Sequence, residues 1–165
     1  MRREILESYS NLAFNVVGFL SFKDLPFCMA MQFLGVASFT YHYHKKQPIF
    51  LFDWFGIAVA LTAITGSLMP VMWPYSLAYL VVYGYFIMGR FNVYLEVATF
   101  AIPLIVVLFI QKTFLDFSII MVVFAFSIWI RSKDKDIKNA KFNDSLAHSA
   151  WHVFAAIGFY LAMYL

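Results

Sequence analysis

Long apolar segments alternate with short polar ones along the whole chain. Breaking the sequence at its charged residues and prolines leaves seven apolar runs. Most of these runs are close to the roughly 20 residues that an α-helix needs to cross the hydrocarbon core of a bilayer. The pattern therefore predicts one domain, residues 1–165, built as a seven-transmembrane helix bundle. The runs lie at about 6–22, 26–43, 50–69, 72–89, 93–111, 114–131 and 145–165.

The first run differs from the others because its opening turns carry Glu4, Glu7 and Asn11. A helix of this composition can lie in the membrane interface instead of crossing it. Six spans with an interfacial first helix are therefore the alternative architecture. The segment begins with two arginines, as a signal peptide does, but it lacks a small-x-small cleavage site. We expect it to be retained as the first helix.

Composition supports a membrane location. The chain is 63% hydrophobic and 13% charged, with a mean hydropathy of +0.77, whereas soluble chains are about 45–50% apolar and about 25% charged. A soluble globule of this composition would expose large apolar patches, which soluble proteins rarely do. The fold class expected is an all-α, multi-pass integral membrane protein without a separate soluble domain.

The basic residues set the predicted orientation. In the seven-helix topology, ten of the twelve lysines and arginines fall on one side of the membrane. Cytoplasmic loops carry the excess of these residues, so the N-terminus is predicted to be cytoplasmic and the C-terminus external. The clusters are short and lie between apolar runs, so nucleic acid is not an expected partner. The ten residues are Arg2, Arg3, Lys45, Lys46, Arg90, Arg131, Lys133, Lys135, Lys138 and Lys141.

Polar residues of three helix ends fall at one predicted depth. Ionisable groups inside a membrane are costly, so each of them needs a partner or a function. His42 lies near the end of the second run, Asp53 near the start of the third, and His148 and His152 in the first turns of the seventh. These ends all face the predicted cytoplasmic side. His44 is only two residues from His42 and faces elsewhere, so we interpret it as an interfacial anchor.

The spacing of these residues suggests a metal site. His148 and His152 are four residues apart and therefore share one helix face, on which two imidazoles can bind one ion. His42 would complete three ligands and leave a fourth tetrahedral position open, as in catalytic zinc (Zn²⁺) sites. Asp53 would act there as a base or orient a ligand. Ser38 lies one helical turn before His42 on the same face.

These residues also resemble a known family. The segments GVASFTYH, LFDWFGI and HSAWH are similar to motifs of the alkaline ceramidases and of the wider CREST superfamily of seven-helix membrane hydrolases. EILESYSNLAF is similar to the first-helix signature of the ceramidase branch, although Glu7 stands where asparagine is usual in that branch. The middle helices carry no motif that matches the family.

The resemblance implies a chemistry for each residue. His42, His148 and His152 would bind zinc, Asp53 would accept a proton from water and help to protonate the leaving amine, and Ser38 would stabilise the oxyanion. The substrate would be ceramide or a related N-acyl lipid entering from the bilayer. Alkaline ceramidases of animals and fungi carry an acidic calcium-binding segment before the first helix. Only three residues precede Glu4 here, which argues against a calcium (Ca²⁺) site of that kind.

Two other functions remain open at the level of sequence. The chain could be a receptor-like or interaction protein whose zinc site is not catalytic. It could also be a small electron carrier in which histidines of the second and seventh helices bind haem b.

Cys28 lies within an apolar run and is interpreted as a packing residue. The oligomeric state is not indicated by the sequence.

Overall fold

The computed structural model of the chain describes residues 3–44, 47–87, 97–136 and 141–165. These residues form helices and contain no strand, which confirms the predicted all-α class. A 3-10 turn, Pro70–Met72, precedes α5, and a π-helical turn, Val97–Ala101, precedes α6. The α-helices are α1 Arg3–Ser10, α2 Leu12–Leu20, α3 Leu25–His44, α4 Gln47–Leu68, α5 Trp73–Ile87, α6 Ile102–Gln111, α7 Phe114–Asp136 and α8 Lys141–Tyr164.

Within the part of the chain that the structure describes, three helices are long and apolar enough to cross a membrane. Their spans are Ile49–Leu68 in α4, Phe114–Ser132 in α7 and Leu146–Tyr164 in α8. Thr99–Gln111 forms a shorter apolar helix. The three spans coincide with the third, sixth and seventh apolar runs of the sequence. The number of crossings and the cytoplasmic N-terminus remain predictions, and the predicted break at residues 89–92 lies outside the described residues.

The first apolar run folds as two short helices, with a break between them at Asn11. The Asn11 amide donates to the backbone carbonyl of Glu7 at 2.8 Å, and its backbone N–H bonds the Ser8 carbonyl at 3.1 Å. Such contacts of short polar side chains with the preceding turn compete with regular helix bonds. The break leaves α1 as a separate element that packs against α3 and α8.

Small residues bring the central helices together. A Cβ added to Gly56 of α4 would lie 3.1 Å from the backbone of Leu34 in α3, and one added to Gly35 would overlap the side chain of Asn15 in α2. Close approach at small residues is a common basis of helix contact in membranes. The α8 helix pairs with α7 and also contacts α1, α2 and α4.

Asp24 joins the start of α3 to the end of α4. Its carboxylate accepts a hydrogen bond from the backbone N–H of Phe27 at 2.9 Å and another from the Ser67 hydroxyl at 3.1 Å. The first bond caps the start of α3, and the second joins that start to the end of α4. The two helices are therefore antiparallel, and the end of α3 meets the start of α4 at the other end of the bundle.

Candidate metal centre

The three predicted histidine ligands meet at this end of the bundle. His42 comes from the last turn of α3, and His148 and His152 come from successive turns of α8. All three are buried, and one nitrogen from each lies within 4.8 Å of the others. The ring centroids are 4.7, 4.7 and 4.9 Å apart in pairs, so the imidazoles form a nearly equilateral triangle. The group can hold a metal ion.

The distance between the donor atoms fits an ion with short metal–nitrogen bonds. The Nε2 atoms of His42 and His148 are 3.3 Å apart. Two imidazole nitrogens bound to a tetrahedral zinc ion at about 2.0–2.1 Å lie about 3.3 Å from each other. A haem must fit between its two axial nitrogens, and this contact leaves no space for one between His42 and His148.

His152 directs an uncommitted nitrogen into the cluster. Its Nδ1 lies 2.8 Å from the hydroxyl oxygen of Ser10, and that hydroxyl donates its hydrogen to the Glu7 carbonyl at 2.7 Å. The Ser10 oxygen is then the acceptor for a proton on Nδ1, which leaves a lone pair on Nε2. This Nε2 is buried and has no hydrogen-bond partner within the part of the chain that the structure describes. A buried, inward-facing lone pair is what a metal ion requires.

The outer nitrogen of His42 faces a carboxylate. Its Nδ1 lies 3.5 Å from Oε2 of Glu7, and the Glu7 side chain is only 1% exposed. Metal-binding histidines usually direct their second ring nitrogen to a carboxylate, a carbonyl or water, which fixes the tautomer and orients the ring. This contact directs Nε2 of His42 to the centre of the triangle.

Asp53 lies beside the histidines, as predicted. It comes from the first turns of α4, and its Oδ2 is 4.0 Å from Nε2 of His42. Together with Glu7, it places two largely buried carboxylates around imidazoles that bind metals in their neutral form.

The structure does not join Ser38 directly to the cluster. Ser38 is buried at 2% exposure, one turn before His42 on α3. Among the described residues, its hydroxyl makes no hydrogen bond to the histidines or to Asp53. Its role in stabilising an oxyanion stays a prediction. His44 is exposed at the end of α3 and does not belong to the cluster.

Sequence reasoning missed the contribution of α1. Glu7 and Ser10 are three residues apart and so share one helix face, and they contact the outer nitrogens of two histidines on two other helices. The signals in the sequence were the glutamate and serine on one face of a short helix and the similarity of this segment to a first-helix signature, and neither indicates which histidines they contact. The side chain of Glu4 lies outside the described part of the structure. The expectation about a calcium site near Glu4 therefore stays a prediction.

Aromatic rings surround the histidines. The ring of Trp151 lies 5.6 Å from that of His148 and 4.8 Å from that of His152, and Phe14 contacts His152 edge-on at 6.0 Å. Arg131 of α7 places its guanidinium over Trp151, 5.5 Å from the ring centroid. These rings cover the histidines on the sides that face α7 and α2. Of the two carboxylates near the histidines, Asp53 is more exposed than Glu7.

Comparisons with protein-family models, with curated proteins and with solved structures gave no match to the chain. The resemblance to the ceramidases thus rests on the motifs quoted above. The chemistry of the histidine cluster and its neighbouring carboxylates is what indicates a function for the chain.

Proposed function

We propose that this protein is a zinc-dependent integral-membrane hydrolase that cleaves the amide bond of ceramide or a related N-acyl lipid. The observation that carries the proposal is the group of three buried imidazoles, His42, His148 and His152, with donor atoms within 4.8 Å of one another. A carboxylate beside the group supplies the acid–base function that hydrolysis needs.

Zinc is the metal that this donor set favours for hydrolysis. Imidazole nitrogens suit zinc, copper, iron and nickel, but zinc has no redox chemistry. Catalytic zinc sites use three protein ligands and keep one position open, and three histidines are one of the common sets. Bound by these residues, zinc would supply an acidified water and polarise the substrate carbonyl.

Asp53 is the residue proposed to move the proton. Its carboxylate is 4.0 Å from Nε2 of His42, and its side chain retains 13% exposure. Asp53 accepts a proton from the attacking water as the new C–O bond forms at the amide carbon. The C–N bond then breaks, and Asp53 returns that proton to the leaving amine. The products are a fatty acid and a free amine.

Ser38 is proposed to bind the carbonyl oxygen of the substrate. It is buried one helical turn before His42, toward the middle of α3. A hydroxyl at this position can donate to the oxygen that becomes negatively charged when water adds. Such a donor contributes about a hundredfold or more in rate when it is correctly placed.

A lipid is the proposed substrate because His148, His152 and Asp53 lie near the starts of two helices that are long and apolar enough to cross a membrane. His148 is two residues into the apolar span of α8, and Asp53 is four residues into that of α4. An amide at the headgroup level could reach this depth from the bilayer. The excess of lysine and arginine on this side supports a cytoplasmic active site.

The test combines metal analysis with lipid turnover in purified, reconstituted protein. We expect one zinc per chain and release of fatty acid from an N-acyl lipid. Both should be lost in His148→Ala and His152→Ala, whereas the exposed control His44→Ala should retain both. A folded wild-type protein that takes up no zinc would contradict the metal site. Zinc binding without turnover of any amide lipid offered would favour the receptor-like alternative.

A further inference from the structure

The α1 helix provides none of the three histidines, yet it contacts two of them. Glu7 reaches the outer nitrogen of His42 on α3 at 3.5 Å, and Ser10 reaches that of His152 on α8 at 2.8 Å. Glu7 is fully buried, as are its neighbours Ser8 and Asn11. Among the residues of α1 whose burial is described, the fully buried ones, Glu7 and Ser8, are therefore polar.

We propose that α1 is a positioning helix for the metal centre, that Glu7 and Ser10 are its positioning residues, and that metal binding in turn strengthens the docking of α1. The inference rests on the metal site of the proposed function and adds a regulatory property to it. Occupancy of the site and attachment of the first helix become one coupled equilibrium.

Ser10 acts by selecting a tautomer of His152. Its single hydroxyl hydrogen is directed to the Glu7 carbonyl at 2.7 Å, so its oxygen accepts from Nδ1 of the imidazole. Without that acceptor, His152 can place its proton on Nε2, and a metal must displace the proton before it binds. Removal of such a supporting contact typically lowers metal affinity by about 10- to 100-fold.

Glu7 acts through charge as well as orientation. Its carboxylate, with a side chain only 1% exposed, faces Nδ1 of His42. A carboxylate on the outer nitrogen makes the inner nitrogen a better donor and holds the ring in place. A glutamine at this position keeps the size of the side chain but removes the charge, so it separates the electrostatic contribution from packing.

The coupling must be reciprocal. A metal ion would hold His42 and His152 in fixed orientations and so present fixed partners to Glu7 and Ser10. By thermodynamic linkage, if docked α1 raises metal affinity by a given factor, metal must favour the docked state of α1 by the same factor. Because α1 and α2 are distinct elements on either side of Asn11, the effect of metal on α1 can be measured separately from that on α2.

The first experiment measures zinc affinity by competition with a chelator in reconstituted full-length protein. Ser10→Ala and Glu7→Gln should each bind zinc about 10- to 100-fold more weakly than wild type. Ser10→Thr should bind zinc with an affinity close to that of wild type, because threonine keeps the hydroxyl. Ser118→Ala and Asp116→Asn are the matched controls: Ser118 also donates to a carbonyl of its own helix, at 2.7 Å, and Asp116 is an acid in the first turn of α7. Both controls should bind zinc as wild type does.

The second experiment needs no variant. Hydrogen exchange of the α1 backbone amides should slow when zinc is added to metal-free wild type, by more than in α7, which provides no ligand. Wild-type protein that binds no zinc would contradict the proposed function itself. Zinc binding by wild type, with unchanged affinity in both α1 variants or unchanged exchange in α1, would overturn only the role of α1.

Discussion

At the scale of single residues, the candidate centre depends on which group each of the two ring nitrogens of an imidazole faces. His152 turns Nδ1 to Ser10 and keeps Nε2 buried and unpartnered among the described residues, and His42 turns Nδ1 to Glu7 and Nε2 to His148. This division is the one that metal ligands show. Asp53 lies on the inner side of His42, where a proton acceptor can serve water at the centre.

Replacing Asp53 tests its role in catalysis separately from its effect on metal binding. We expect Asp53→Asn to lower lipid amide turnover by about 10²- to 10⁴-fold, because the amide cannot accept the proton from water. Ser38→Ala should lower turnover by about a hundredfold through loss of an oxyanion donor. Zinc content, measured on the same samples, should stay at the wild-type level in both variants.

The matched control for Ser38→Ala is Ser21→Ala, which also removes a hydroxyl that is buried at 1% exposure but lies away from the histidines, after the end of α2. Turnover should be unaffected in this control. Full activity in both Asp53→Asn and Ser38→Ala, with zinc retained, would show that the site does not work in the proposed way.

At the scale of secondary-structure elements, the close contact of α3 with α4 sets the distance between His42 and Asp53. The contact depends on Gly56, whose position directly faces the backbone of Leu34. Asp24 holds the far ends of the same two helices through Phe27 and Ser67. A substitution that changes the spacing of α3 and α4 should therefore change the distance between His42 and Asp53, even when it replaces no residue of the site.

Gly56→Ala tests this dependence. The new Cβ would lie 3.1 Å from the Leu34 backbone and 3.1 Å from one of its side-chain methyl groups. The backbone can yield only if the helices separate, and overpacking of this kind costs about 1–3 kcal/mol. We expect a lower unfolding temperature and weaker zinc binding.

Gly84→Ala on α5 is the control for Gly56→Ala. Among the described residues, its added Cβ would meet only the ring of Phe55, at 3.3 and 3.8 Å, and a side chain can rotate away. Zinc affinity should be close to wild type in Gly84→Ala. Equal effects of the two substitutions would show that the Gly56 contact does not position the site.

At the scale of the whole molecule, the candidate centre joins four helices. The histidines come from α3 and α8, Asp53 from α4, and the supporting side chains from α1. A ligand that binds only the folded state stabilises it by an amount that grows with concentration above its Kd. An ion bound at this junction should therefore act on the stability of the entire bundle.

We expect zinc to raise the thermal unfolding temperature of the wild-type protein and a chelator to reverse the increase. At a free zinc concentration 100 times the Kd, the stabilisation is about 2.7 kcal/mol. The effect should weaken as pH falls, because protons compete with the metal for the imidazole nitrogens. His152→Ala should show no response to zinc, and a response equal to that of wild type would place the metal elsewhere.

The sequence by itself determined the helical class, the positions of the apolar helices and the grouping of His42, Asp53, His148 and His152 at one end. Those features follow from local hydrophobicity and from the alternation of helix direction, both of which can be read along the chain. The break at Asn11 and the contacts of Glu7 and Ser10 were decided only by the tertiary structure. They depend on which face α1 turns toward α3 and α8, and that rotation results from packing and hydrogen bonding among helices distant in sequence.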